Sequence, residues 1–176
     1  ASRTTLPVGT PKSLAGYVKD GGWLIRDNAG PFCLDIDGDG ILGATDLTTE
    51  SKKAVSSFWE EIAGTKVIAK PTYNFIKKIR VTNFFPSFSK NLPTEFVELD
   101  FSFKMPHYSY FTTYYQLIGN TKPLIEASII NTPSKNLTDE GKEIEGVFPV
   151  VAVNQYGNGI CISIGINVRA MLTPPA

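Results

Sequence analysis

The sequence predicts a mainly β chain. The expected architecture is an antiparallel β-sandwich or a jelly-roll-like fold, with one amphipathic helix at about 46–62 following an acidic loop. Three observations predict it. Apolar and polar residues alternate with period two over several stretches. Pro- and Gly-containing turn signals recur between these stretches, every 10–15 residues. A single segment has the helical period instead. With 176 residues, 42% apolar and 19% charged, the chain suits one ordinary domain and is too apolar for intrinsic disorder. Residues 1–176 are read as one β-rich domain with an extended N-terminal arm, about 1–13, and an embedded loop–helix unit at 35–62.

The strands follow in order. Residues 22–26 make a weak candidate, and 75–85 a better one. In 96–104, Val97, Leu99, Phe101 and Phe103 point one way, with Glu98, Asp100, Ser102 and Lys104 opposite them, which describes a half-buried antiparallel strand. Further strands are expected at 108–118, 124–130 and 147–153. The cleanest alternation is 160–172, where Ile160, Ile162, Ile164, Ile166 and Val168 share a face. So long a strand is expected to bend or bulge, at Gly165. The run 154–159, Asn-Gln-Tyr-Gly-Asn-Gly, reads as a hairpin loop. Residues 131–146 are polar and read as a long exposed loop. In 46–62, Leu47, Ala54, Val55, Phe58 and Ile62 follow the helical period, and Gly64 stands where a helix stops.

Charge excludes some partners. Lys and Arg total 17, as do Asp and Glu, so nothing supplies the basic excess that phosphate neutralisation needs. Nucleic acid is therefore not an expected partner. No apolar run reaches the 18 residues of a membrane helix, so no membrane span is expected. Ala1 fits either a start that has lost its Met or a cleaved secretory signal. Cys33 and Cys161, 128 residues apart in chain, are read as free thiols in preference to a disulfide, because no metal or redox spacing surrounds them.

One motif carries chemistry. Residues 35–46 read Asp-Ile-Asp-Gly-Asp-Gly-Ile-Leu-Gly-Ala-Thr-Asp. Ca²⁺ takes six to eight oxygens, and acids at positions 1, 3 and 5 of a curled loop converge on one centre. Those acids are Asp35, Asp37 and Asp39. Gly40 at position 6 allows the sharp turn, the Ile41 carbonyl at position 7 adds an oxygen, and Asp46 closes the set at position 12. Four carboxylates this close repel without a cation. Calcium is the expected cofactor, in a structural role, with the modest ~10⁻⁵ to 10⁻³ M affinity of a lone loop.

Through Asp35, Asp37, Gly38, Asp39, Gly40, Thr45, Asp46 and Leu47, the run resembles an EF-hand-type loop, and more closely the loop and helix of a dockerin repeat. The resemblance covers only 35–62. Asp46 departs from the Glu of EF-hand loops and agrees with dockerins. A second such repeat is missing, so cohesin binding is not implied.

Other candidates carry a plainer reading. His107 is the only histidine, and no GxSxG nucleophile elbow accompanies it. Residues 108–115 hold five aromatics. Tyr108, Tyr110 and Tyr114 share one parity and are candidates for sugar stacking or a contact between copies, against a plain reading as core residues of a strand. The pairs Glu60/Glu61, Glu95/Glu98 and Glu143/Glu145 read as solvated faces rather than glycosidase carboxylates. Two functions are therefore expected. The first is a non-enzymatic structural subunit, calcium-stabilised and assembling with copies of itself as a virion tail or spike component or a surface filament. The second is a secreted, calcium-stabilised binding module, with carbohydrate as its ligand. Either would work outside the cell, on its surface or in a virion, and the chain is not expected to be an enzyme.

Overall fold

A computed structural model describes residues 5–27, 31–69, 76–98, 113–129 and 146–166. The fold is mainly β. In chain order the elements are β1 (Thr5–Pro7), α1 (Thr10–Lys19), β2 (Trp23–Asp27), β3 (Cys33–Asp35), α2 (Thr49–Ala63), β4 (Thr65–Ala69), β5 (Ile76–Val81), the single turn α3 (Pro86–Ser89), β6 (Val97–Glu98), β7 (Tyr114–Leu117), β8 (Lys122–Ile129), β9 (Gly146–Tyr156) and β10 (Gly159–Ile164). Six strands form the main sheet in the order β2-β10-β9-β8-β5-β6, while β1 pairs with β3 and β4 with β7.

The sheet is mixed rather than wholly antiparallel. The pairs β2–β10 and β1–β3 run parallel, and the other described pairs antiparallel. A parallel pair needs a long crossover, here almost the whole chain between β2 and β10. Sequence alternation reports which face is buried but not which strand pairs with which. The 154–159 loop does close a hairpin: Tyr156 faces Gly159 across a two-residue turn of Gly157 and Asn158, with Gly157 at φ 61°.

Of the arm expected at about 1–13, Thr5–Pro7 form β1 and residues 10–13 open a helix. Residues 10–19 form α1, with Pro11 at its start, where a missing N–H costs nothing. Leu14, Ala15 and Val18 make its inward stripe, and Val18 is fully buried. The expected helix at 46–62 appears as α2 at Thr49–Ala63. It begins three residues after Asp46 because Thr48 caps it, its side chain accepting from Ser51 N at 3.2 Å. It ends at Gly64, φ 60°, in the left-handed conformation. No described helix is long and apolar enough to cross a membrane.

Two apolar clusters cover the two faces of the sheet. Val55, Phe58, Trp59, Ile62 and Ala63 of α2 pack with Cys161 and Leu24. On the other face, Tyr114, Ala127, Val150, Val151 and Ile166 pack with Ile162 and Ile164. Strand β10 is therefore central and covered on both sides. Its less apolar face, Cys161 and Ser163, is the fully buried one, because α2 sits on it. Strand β10 ends at Ile164, just before Gly165, where a bend or bulge is expected. Gly165 N donates to Val150 O at 2.6 Å, its carbonyl accepts from Thr113 N at 2.8 Å, and a Cβ there would lie 2.1 Å from Thr113 O. Both cysteines are buried thiols, and burial raises their pKa values, that of Cys161 to about 11. Most of the strand expected at 96–104, the loop at 131–145, His107 and residues 167–172 lie outside the described residues.

Candidate metal centre

The acidic loop runs from the end of β3 to the cap of α2. Both ends are anchored. Leu34 N donates to Ser51 Oγ at 2.6 Å, and Ser51 Oγ donates back to Leu34 O at 3.3 Å, which ties β3 to the first turn of α2. Asp46 is fully buried, and its two oxygens accept from Ile36 N at 2.7 Å and Gly43 N at 2.9 Å. A charged acceptor held by two N–H groups pins the loop shut across ten residues.

Inside that closure the chain curls around Asp35. Its Oδ1 accepts from Gly38 N at 2.9 Å and its Oδ2 from Gly40 N at 3.0 Å. Gly38 and Gly40 sit at φ 77° and 73°, in the left-handed region that favours glycine, and these two turns bring the loop back on itself. Asp39 Oδ1 accepts from Ile41 N at 2.7 Å, and Asp37 Oδ2 from Thr45 Oγ1 at 2.6 Å. The Thr45 hydroxyl holds the Asp37 pKa below its ordinary value.

The carboxylates of Asp35, Asp37 and Asp39 each offer an oxygen, and the three oxygens lie within 4.8 Å of one another. Asp35 is buried while Asp37 and Asp39 are exposed, so the cluster opens to solvent on one side. An all-oxygen set of carboxylates suits a hard cation of the calcium class. Asp46 stands apart from that triplet. Both of its oxygens hold backbone, which makes it the closure of the loop; each oxygen keeps a second lone pair for a cation. The side chain of Ile41 is exposed.

The aromatic candidates divide. Tyr108 and Tyr110 lie outside the described residues. Tyr114 is fully buried in the core, edge-on to Phe148 with centroids 6.1 Å apart, so it offers no sugar-stacking surface and the plainer reading of that strand holds there. Burial raises its pKa strongly. Of the carboxylate pairs, Glu60 accepts from Ser56 at 3.2 Å and Glu61 from the Tyr156 hydroxyl. Sequence reasoning missed Arg26, which is 5% exposed on β2 beneath Trp59. Its signal was parity: it alternates with Leu24 on an inward face where a charge is out of pattern.

No family model matches the chain, and no curated protein is similar to it. The fold does recur among solved structures. It is similar to part of a β-galactosidase from Rahnella sp. R3, with 11% identity and TM-score 0.54, covering 93% of this chain and 19% of that one. It is also similar to part of Gan42B, a GH42 β-galactosidase from G. stearothermophilus, with 14% identity, TM-score 0.51 and coverage of 96% and 19%. A β-galactosidase from Bacillus circulans sp. alkalophilus gives 11%, 0.53, 93% and 19%. The chain thus spans 19% of the length of these proteins, and at such identities the likeness is one of fold. It corrects the expectation that the chain is not an enzyme: the same fold occurs inside β-galactosidase chains.

Proposed function

We propose that the chain is a calcium-stabilised domain of a carbohydrate-acting enzyme. The observation that carries the calcium part is the convergence of Asp35, Asp37 and Asp39 within 4.8 Å inside a loop whose ends are fixed to β3 and α2. The likeness to β-galactosidase chains supports the enzyme context. Calcium here is structural. It would relieve the repulsion among the acids and stiffen the passage into α2, whose inner face carries one of the two apolar clusters. The affinity of such a lone loop, ~10⁻⁵ to 10⁻³ M, reaches into the weak range of extracellular modules, which favours a setting outside the cell.

The test is thermal unfolding in calcium, in magnesium and in chelator, beside an assay of the natural gene product on nitrophenyl glycosides. Calcium is expected to raise the melting temperature more than magnesium, and hydrolysis is expected on a β-galactoside. Equal melting in all three conditions removes the calcium part. Failure on every glycoside removes the enzyme context.

Self-association is a second reading, favoured by one surface. Strand β2 ends the main sheet, and Trp23 and Ile25 on its outer face are 65% and 61% exposed. An edge strand with large apolar side chains in water is a natural contact for another copy or another part of the protein. Light scattering behind size exclusion should show association that Trp23→Ser abolishes. A monomer at every concentration contradicts it.

A further inference from the structure

Strand β2 is an edge whose backbone, as well as its side chains, faces water. Ile160 N donates to Gly22 O at 3.1 Å, and Leu24 and Arg26 follow at the same parity in the ladder with β10. In a parallel pair, alternate residues aim both N–H and C=O at the partner strand. Trp23, Ile25 and Asp27 therefore aim theirs outward, and no described residue hydrogen-bonds to them there. Sheet edges are normally blunted by shortness, Pro, Lys or a bulge. The opposite edge of this sheet is blunted, since β6 has only 2 residues. None of these devices protects β2. Its 5 residues, Trp-Leu-Ile-Arg-Asp, pair with β10 without a register shift, and Arg26 is turned under Trp59.

A second copy of the chain fits this edge. Head-to-tail pairing of β2 with β6 offers too short a ladder, so the contact has to be isologous, β2 against β2 about a two-fold axis. An axis at Ile25 sets Ile25 opposite Ile25, and each Trp23 opposite the Asp27 of the other copy. Every outward residue then has an outward residue facing it, and each such pair exchanges two hydrogen bonds. Moving the axis along the strand leaves at least one of the three without a β2 partner. The side chains agree with this register. Each exposed Trp23 lies diagonal to the other copy's exposed Ile25, at roughly 7–8 Å, within reach of an indole. Their ladder neighbours Ile160 and Ile162, only half-buried, extend the apolar strip on both sides. The two Asp27 stand four residues apart, about 14 Å, beyond the Debye length of about 10 Å. An axis at Asp27 would set these like charges face to face.

We propose that two copies pair antiparallel through β2 with Ile25 on the two-fold axis, so that the six-stranded sheet of one continues into the other. The pairing rests on self-association through β2 and adds to it the partner, the direction and the register. It shares no residue with the Asp35–Asp46 loop and does not depend on bound calcium.

Light scattering behind size exclusion reads the mass, which should approach twice that of one chain as concentration rises. Charge exchange at the axis reads the register. Ile25→Lys and Ile25→Glu, both at an exposed position, should each weaken the dimer about a hundredfold or more, because like charges then face each other. Mixed one to one, the two variants should dimerise again. That rescue requires residue 25 to face residue 25. Ile25→Cys should cross-link to itself under mild oxidation by diamide. Facing hydrogen-bonded residues hold their Cα atoms about 5.5 Å apart, inside the disulfide range. Cys33 and Cys161 are fully buried and do not compete. Asp27→Cys should not cross-link to itself. Circular dichroism melts check that each variant is folded. A monomer at every concentration overturns self-association and this pairing with it. A dimer with neither the charge rescue nor the Ile25→Cys cross-link keeps self-association and overturns the β2 register.

Discussion

Replacing Asp46 by Ala separates the closure of the acidic loop from its occupancy. The side chain is fully buried and accepts two hydrogen bonds, from Ile36 N at 2.7 Å and Gly43 N at 2.9 Å. Hydrogen bonds to a charged group contribute about 1.5–3 kcal/mol each. Water can reach the exposed loop once the side chain is gone, so the lower end applies and the loss is about 3 kcal/mol. For a chain of this size that is about 6–12 °C in melting temperature. The loss should appear in chelator, because these bonds need no cation. Asp39→Ala should behave in the opposite way. Asp39 is exposed and its side chain accepts from Ile41 N at 2.7 Å, so in chelator the variant should melt closer to the parent than Asp46→Ala does. In calcium at about a hundred times Kd, the parent gains about 2.7 kcal/mol and Asp39→Ala should not. Melts of the three proteins by circular dichroism, each in chelator and in calcium, decide the matter. An Asp46→Ala protein as stable as the parent in chelator would refute the closure role. An Asp39→Ala protein with the full calcium increment would refute ligation by Asp39.

Other outcomes follow from the packing. Gly165→Ala should cost about 3 kcal/mol or fail to fold, because the new Cβ meets Thr113 O at 2.1 Å and Val150 O at 2.9 Å; urea unfolding measures it. Asn154→Ala should cost about 2–3 kcal/mol in the same assay, since Nδ2 donates to Ile62 O at 2.9 Å and Oδ1 accepts from Thr121 Oγ1 at 3.0 Å, both inside the protein. Stability should fall in alkali. The Cys161 thiol is raised from 9.0 to about 11 in the folded chain, so its contribution is intact below pH 9 and is lost as pH rises from 9 to 11. Melting temperature against pH should show that loss, and Cys161→Ala should lessen it, most clearly below pH 10, where the buried Tyr114 and Tyr115 do not yet contribute.

How much of this was legible depends on which force shapes each part. The loop was readable because its determinants are local: Asp35 captures the N–H groups of Gly38 and Gly40, three and five residues on. The stop at Gly64 and the turn at 157–158 were readable for the same reason. Helix α1 was not, because Pro11, Gly16 and a narrow stripe of Leu14, Ala15 and Val18 give a weak periodic signal that tertiary packing completes. The parallel pairing of β2 with β10 joins residues more than 130 apart in chain, and nothing in either strand names the other. The inward face of β10 misled for a related reason. Its Ile residues announce one buried side, but α2 lands on Cys161 and Ser163. Arg26 shows the same limit, since only the folded chain places its charge between Trp59 and Tyr115.

The central claim is that the curled loop at 35–46 holds a calcium ion. Calorimetric titration of the chelator-treated protein with calcium tests it, with Asp35→Asn/Asp37→Asn/Asp39→Asn as the comparison. The expected result is one site per chain with Kd of about 10⁻⁵ to 10⁻³ M, absent from the triple variant and not reproduced by magnesium at the same concentration. Heat that does not saturate, or a triple variant that binds calcium as the parent does, would contradict it.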